Sequence, residues 1–300
     1  VFDYDNDGRF DLLTVDMHSD MWLPATVTPR HREPHDLRKK YAHVMGAFFG
    51  FAPEANEAEK RLANSFKFRY EEVLFGNSLY HKLPSGKYEE VSDKVGLETF
   101  WPWGIATGDF DNDGSEDVFL PSGMGYPYAY WPNALMMNNG SGVFTDRAAQ
   151  LGVEPPANGI HIAEKIGGKP AARSSRCAVT ADFDGDGRLE LLVNNFNSEP
   201  YYFKNHFAQK KYVAFRLRGT VSNRDAIGAV VKLQLAGGGT LIRQVHAAGG
   251  YLSQSSRTLH FGLGDRTAIE SAEIVWPSGI RQQIAKPDAN KRHDLTEPAK

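Results

Sequence analysis

Apolar and polar residues alternate along much of this chain with the period of two that marks β-strands, in short runs closed by Gly, Asn, Asp or Pro. The alternation is plainest after residue 211, in YVAFRLRG (212–219), AVVKLQLA (229–236), TLIRQVHA (240–247), TLHFGLG (258–264), SAEIVWP (271–277) and IRQQIA (280–285). These runs predict six strands, with Gly237-Gly238-Gly239 as the hairpin turn between the second and third. A small β-sandwich or barrel over 211–287 is expected, followed by a polar tail, 288–300, that should fray.

Upstream, the apolar runs LLTV (12–15), VFL (118–120) and LLV (191–193) each follow an acidic stretch: DYDNDGRFD (3–11), DFDNDGSED (109–117) and DFDGDGRLE (182–190). The shared pattern is D-x-D-x-D-G-x-x-[DE], and such self-similarity determines architecture more firmly than local propensity does. The likeness extends beyond the motif. NSLYHKLPSGKYEEVSDKVGL (77–97) aligns with NALMMNNGSGVFTDRAAQLGV (133–153), and a third beginning, NSEPYYFKN, follows at 197–205. Each unit reads as several short strands punctuated by turns, so residues 1–210 are expected to be all-β as well. The copies start 106 and then 73 residues apart, which requires insertions. Ala55, Ala58, Leu62, Ala63 and Phe66 recur at near-helical spacing, predicting helices within an insertion at about 18–76. The insertion at about 154–176 is rich in Pro and Gly and is expected to be irregular.

The acidic stretches are the main candidate chemistry. A hard divalent cation takes several oxygen ligands at once, and Ca²⁺ accepts six to eight in loose geometry. Acids at alternate positions one, three and five face one concavity when the backbone curls, and Gly at position six permits the left-handed turn. The main-chain carbonyl at position seven and the acid at nine would complete the shell. The expected ligands are Asp3, Asp5, Asp7, the Arg9 carbonyl and Asp11; Asp109, Asp111, Asp113, the Ser115 carbonyl and Asp117; and Asp182, Asp184, Asp186, the Arg188 carbonyl and Glu190. Glu190 closes the third loop with one more methylene than the others. An EF-hand would need Glu at position twelve, where Thr14, Leu120 and Val193 stand. An acidic surface turn that holds no ion is the other reading of these residues.

Composition narrows the function classes. With 34 basic and 37 acidic residues the formal net charge is −3, which gives no global field for nucleic acid or an anionic membrane. No apolar run reaches the roughly 18 residues that would span a bilayer. Cys177 is alone, so it cannot form an internal disulfide, and it is expected to be buried.

The acidic repeats resemble FG-GAP/VCBS repeats, as found in integrin alpha-subunit propellers and many secreted bacterial proteins; GIATGDFDNDGSEDVFLPSG (104–123) carries the resemblance best. It implies a β-propeller whose blades each hold Ca²⁺ in a loop between two strands. Residues 211–287 resemble the ASPIC/UnbV domain through NRDAIGAVVKL (223–233), AGGYLSQSSRTLHFGLG (248–264) and VWPSG (275–279). Propellers have four to eight blades and three motif copies are present, so the chain is expected to be the C-terminal part of a longer protein. The resemblance supplies architecture rather than mechanism, and the leading expectation is a calcium-binding scaffold outside the cell, in a periplasm or at a cell surface, serving adhesion or binding a protein or carbohydrate ligand rather than an enzyme.

On a strand, Asp16, His18 and Asp20 would share one face and offer a transition-metal donor set, the basis of an alternative reading as a secreted hydrolase or lyase, carbohydrate-active among the options. The aromatics of FWPWG (100–104) and GYPYAYWP (125–132) suit either packing or ligand stacking. Ser253, Ser255 and Ser256 lack a nucleophile elbow, and His246 and His260 fall in strand-like alternation, which argues against Ser-His catalysis. RHREPHDLRKK (30–40) reads as a solvated basic face, with an acidic-partner site as the alternative.

Overall fold

The computed structural model describes residues 1–15, 77–99, 102–123, 133–153, 162–166, 169–172, 174–196, 198–266 and 268–299. The expected helical insertion, Asp16, His18 and Asp20, the basic 30–40 stretch, Phe100, Trp101 and the aromatics of 125–132 lie outside these residues. The described chain is all-β, with nineteen strands and two single-turn helices.

Strands β1 (Leu12–Val15), β2 (Asn77–Lys82) and β3 (Tyr88–Glu90) form one antiparallel sheet in that order. A second antiparallel sheet runs β4 (Ala106–Gly108), β5 (Asp117–Leu120), β6 (Ala134–Asn138), β7 (Phe144–Asp146). After the hairpin β8 (Ile162–Ile166), β9 (Lys169–Ala172), a third is built from β10 (Ser174–Ala181), β11 (Glu190–Phe196) and β12 (Ser198–Phe203). The hairpin falls in the 154–176 stretch, which was expected to be irregular: backbone pairing there prevails over its Pro and Gly content. The aligned stretches 77–97 and 133–153 fold alike. Each ends in a one-turn helix, α1 (Ser92–Val95) or α2 (Ala148–Leu151), stopped by a left-handed glycine, Gly96 at φ 73° or Gly152 at φ 70°. In each, the first Asn spans the unit, with Asn77 Nδ2 donating to Leu97 O and Asn133 Nδ2 to Val153 O.

Packing explains the uninterrupted apolar runs that follow the acidic stretches. Side chains alternate across a strand, so Val118, Leu120, Ala134 and Met136 of the second sheet pack toward Leu13, Leu79 and Phe2 of the first. Phe119, Leu135 and Met137 point the other way, toward Ala178, Leu191 and Val193 of the third. A sheet covered on both faces has apolar residues at consecutive positions.

The C-terminal part consists of β13 (Lys211–Arg218), β14 (Val230–Leu235), β15 (Thr240–Gln244), β16 (Leu259–Gly264), β17 (Ile269–Val275), β18 (Arg281–Ala285) and β19 (Lys291–Thr296). Sheets ordered β16-β13-β19 and β15-β14-β17-β18 enclose one core around Phe215, Phe261, Leu233 and Trp276. Neither closes into a barrel, so this is the sandwich of the two expected forms. All six expected strands are present, and Gly237, Gly238 and Gly239 all adopt positive φ in the turn between β14 and β15. The tail is a correction. Residues 291–296 do not fray; they pair in parallel with β13 from Val213↔Lys291 to Arg218↔Thr296. Their polar composition hid a strand whose side chains are partly exposed. Cys177 also differs from expectation, being half-buried, beside a register shift in β10.

Candidate metal centres

Each acidic stretch curls because two positions adopt a left-handed backbone. Position four is Asn6 (φ 57°), Asn112 (φ 56°) or Gly185 (φ 79°), and position six is Gly8, Gly114 or Gly187, also at positive φ. Carboxylates then draw the loop closed over main-chain N–H groups. At position one, Asp3 accepts from Asp7 N (3.1 Å) and Gly8 N (3.0 Å), and Asp109 from Asp113 N (2.9 Å) and Gly114 N (2.8 Å). Asp182 accepts from Gly185 N (2.7 Å) and Gly187 N (3.0 Å). Position three (Asp5, Asp111, Asp184) accepts from the N–H of position five. Position five (Asp7, Asp113, Asp186) accepts in turn from the N–H of Arg9, Ser115 or Arg188.

The acid at position nine ties the loop to its sheet. Asp11 accepts from Tyr4 N (3.4 Å) and Lys82 N (2.7 Å), and Asp117 from Phe110 N (3.0 Å) and Asn138 N (2.8 Å). Glu190 accepts from Phe183 N (2.8 Å) through Oε2, while its Oε1 is buried with no hydrogen-bond partner.

One oxygen from each of positions one, three and nine comes within 4.8 Å of the others in every loop: Asp3, Asp5 and Asp11; Asp109, Asp111 and Asp117; Asp182, Asp184 and Glu190. Position five stands apart from these triads. Asp7 and Asp186 form ion pairs with Arg9 and Arg188, and Asp7 converges instead with Asp5 and His81. Sequence reading missed His81. It reaches the first loop from β2, and its Nδ1 lies 3.2 Å from Asp11 Oδ1 and 3.7 Å from Asp5 Oδ2. The strand registers Leu12↔Tyr80, Val118↔Met136 and Leu191↔Phe203 make His81, Met137 and Lys204 equivalent, so each loop meets a different side chain there.

The three loops share an acidic pattern but not an environment. Burial pushes Asp3 up to about 7 and Asp109 up to about 8, and holds Asp117 well above the usual carboxylate range. The Arg243 guanidinium opposes the rise in Asp3 and Asp109 but burial outweighs it, a costly state that a bound cation relieves. The third loop is more exposed at Asp184 and Gly185, while burial holds its closing Glu190 above the ordinary value. The Lys204 ammonium holds Asp184 below its ordinary value, and the Arg188 guanidinium does the same for Asp186.

Neighbouring loops are linked in order. Asn6 Nδ2 donates to Gly114 O (3.2 Å) and Asn112 Nδ2 to Gly187 O (2.9 Å). The C-terminal sandwich seats on the second and third loops. Gly262 N donates to Asp109 Oδ2 (3.0 Å), Gly264 N to Asn112 O (2.7 Å), and Lys210 Nζ pairs with Asp111 (3.0 Å). His260 Nε2 lies 3.0 Å from Gly187 O; a carbonyl only accepts, so Nε2 carries the proton. Burial pushes this imidazole down to about 4, which keeps it neutral.

The donor set fits a hard divalent cation: three converging carboxylates per loop, buried charge in two loops and an orphaned buried oxygen on Glu190 in the third. In comparisons with known proteins, residues 219–300 match the family model described as ASPIC and UnbV. Cartilage acidic protein 1 of Xenopus tropicalis is 25% identical over 273 residues, covering 74% of this chain and 41% of that protein. The Mus musculus protein of the same name is 30% identical over 135 residues, covering 43% of this chain and 21% of its own length. The Homo sapiens protein is 26% identical over 199 residues, covering 65% and 28%. The chain thus resembles the ASPIC and UnbV family over its C-terminal sandwich, and spans less than half the length of the curated relatives it matches.

Proposed function

We propose that this chain is part of an extracellular calcium-stabilised scaffold for adhesion or ligand binding, with Ca²⁺ held in the three acidic loops of propeller-like blades. The carrying observation is the threefold recurrence of the position one, three and nine oxygen triad. Asp3, Asp5 and Asp11, then Asp109, Asp111 and Asp117, then Asp182, Asp184 and Glu190 would hold the ions. Bound calcium supplies positive charge to carboxylates that the fold removes from water. The chain's own residues do the rest: the left-handed Asn and Gly positions curl each loop, and the position-nine acid fixes it to the sheet. Sheets stacked with buried faces, and loops joined in sequence by Asn6 and Asn112, suit successive blades of a propeller.

The extracellular setting rests on the similarity to cartilage acidic protein 1 and on calcium availability. Extracellular modules bind Ca²⁺ at about 10⁻⁴ to 10⁻³ M, which would keep such sites filled outside cells. Among the described residues no helix is long and apolar enough to cross a membrane.

The test is thermal unfolding with calcium, with magnesium and with a chelator, scored beside elemental analysis of bound metal. A calcium-specific rise in Tm with close to three ions per chain is expected, because a ligand of the native state stabilises it by mass action. Absence of both bound calcium and any shift would overturn the reading.

A further inference from the structure

In two of the three loops the carboxylate at position three already holds a lysine. Lys210 Nζ lies 3.0 Å from Asp111 Oδ2, and Lys204 Nζ lies 2.8 Å from Asp184 Oδ2. The two lysines arrive by different routes. Lys204 follows β12 directly, at the register position that Met137 fills beside the second loop. Lys210 stands just before β13 and reaches back to a loop 99 residues earlier in the chain. Both acids belong to the metal triads, Asp111 with Asp109 and Asp117, Asp184 with Asp182 and Glu190. In the third triad the lysine leaves a demand unmet, because Glu190 is 1% exposed and its Oε1 has no hydrogen-bond partner.

An ammonium group and a divalent cation compete for such a carboxylate. Lysine carries three donors and no acceptor, so it cannot join the ion's ligands and is repelled by its charge. The first loop differs: His81 stands at the equivalent register, and among the described residues no lysine pairs with Asp5. The competition is graded by exposure. The Lys204 and Asp184 side chains are 49% and 32% exposed, those of Lys210 and Asp111 30% and 27%. Exposed ion pairs are weak and screened by salt, so Lys210 should oppose a cation more strongly than Lys204 does.

We infer that Lys210 and Lys204 are resident counter-ions that calcium must displace from Asp111 and Asp184, and that they set the calcium affinity of the second and third loops. This rests on the calcium reading above and names the residues that tune it. Each lysine partly neutralises its loop when no ion is bound and raises the calcium concentration at which that loop fills. The loops therefore differ in affinity although their acids follow one pattern.

The test follows ¹H–¹⁵N spectra of the whole chain through a calcium titration at low ionic strength, with bound metal counted in parallel. The amides of Asp113 and Asp186 donate to Asp111 and Asp184 and report the second and third loops; the amide of Asp7 donates to Asp5 and reports the first. Lys204→Met should lower the third-loop midpoint about twofold to fivefold, and Lys210→Met the second-loop midpoint about threefold to tenfold. The first-loop midpoint should stay in place in both, as the internal reference. Lys204→Arg and Lys210→Arg keep the charge and should tighten neither loop, and added salt should narrow the gap between the wild type and the Met variants. An unchanged midpoint in a Met variant, or equal tightening in the matching Arg variant, overturns the role of that lysine. Calcium bound by the wild type with all midpoints unchanged in the variants overturns this inference alone. No calcium in the wild type or in either Met variant overturns the calcium reading and this inference with it.

Discussion

Replacing Glu297 with Ala tests whether the C-terminal tail is part of the sandwich. Its Oε2 accepts three consecutive main-chain N–H groups, Thr220 (2.9 Å), Val221 (2.9 Å) and Ser222 (2.7 Å). Oε1 accepts Ser222 Oγ (2.8 Å) and Ser278 Oγ (2.5 Å). Successive N–H groups converging on one carboxylate oxygen form an anion-binding concavity. The side chain thus ties β19 to the start of the 220–229 loop and to the turn before β18. Truncation leaves three donors without their acceptor, each worth about 1–3 kcal/mol when buried. These donors are partly buried, so water relieves some of the loss, and a total of about 3–5 kcal/mol is expected. In a unit the size of residues 211–299, each kcal/mol moves Tm by about 4–8 °C, giving a fall of roughly 12–40 °C. Urea unfolding followed by hydrogen exchange of the β13 and β19 amides measures it. A loss below about 1 kcal/mol, with β19 protection unchanged, would refute the argument.

The same carboxylate yields a pH prediction. Burial acts to raise Glu297, but the bonds from Ser278, Ser222 and Thr220 outweigh it and hold the group down at about 2. Its contribution should be complete above the ordinary value of 4.5 and disappear as pH falls from there toward 2, so Glu297→Ala should flatten that part of the stability profile. Gly187→Ala should cost roughly 2–4 kcal/mol in urea unfolding, because φ is +87° and the new Cβ would lie 2.0 Å from Tyr212 Cε1. Gly185→Ala, at φ +79° with nothing within 4 Å, should cost only about 1–2 kcal/mol, and equal losses would sink the packing argument. In calcium, Asp109→Asn should lose one bound ion and about 2–4 kcal/mol, because it also weakens the contact with Gly262. Asp182→Asn should lose one ion with a stability change of about 1 kcal/mol or less, and elemental analysis with denaturation in parallel would expose any reversal of that order.

Much of this protein is determined locally and could be read from its residues. Period-two alternation located all six strands between 211 and 287, since those strands have one covered face. The Asp spacing identified the three loops because their closure depends on side chains binding N–H groups two to five residues away. Tertiary structure decided what no local pattern encodes. Strand β19 depends on β13, more than 70 residues earlier, and on Glu297 reaching Thr220 and Ser222, so its polar sequence resembled a free tail. His81 joins the first loop only because β2 pairs with β1 across a long insertion. Asp109 is closed off in part by the sandwich, which docks through Gly262 and Gly264 on the second loop. A shared acidic pattern therefore yields different sites, its first carboxylate buried in Asp3 and Asp109 but half-buried in Asp182, because the free energy of a carboxylate is set by what surrounds it.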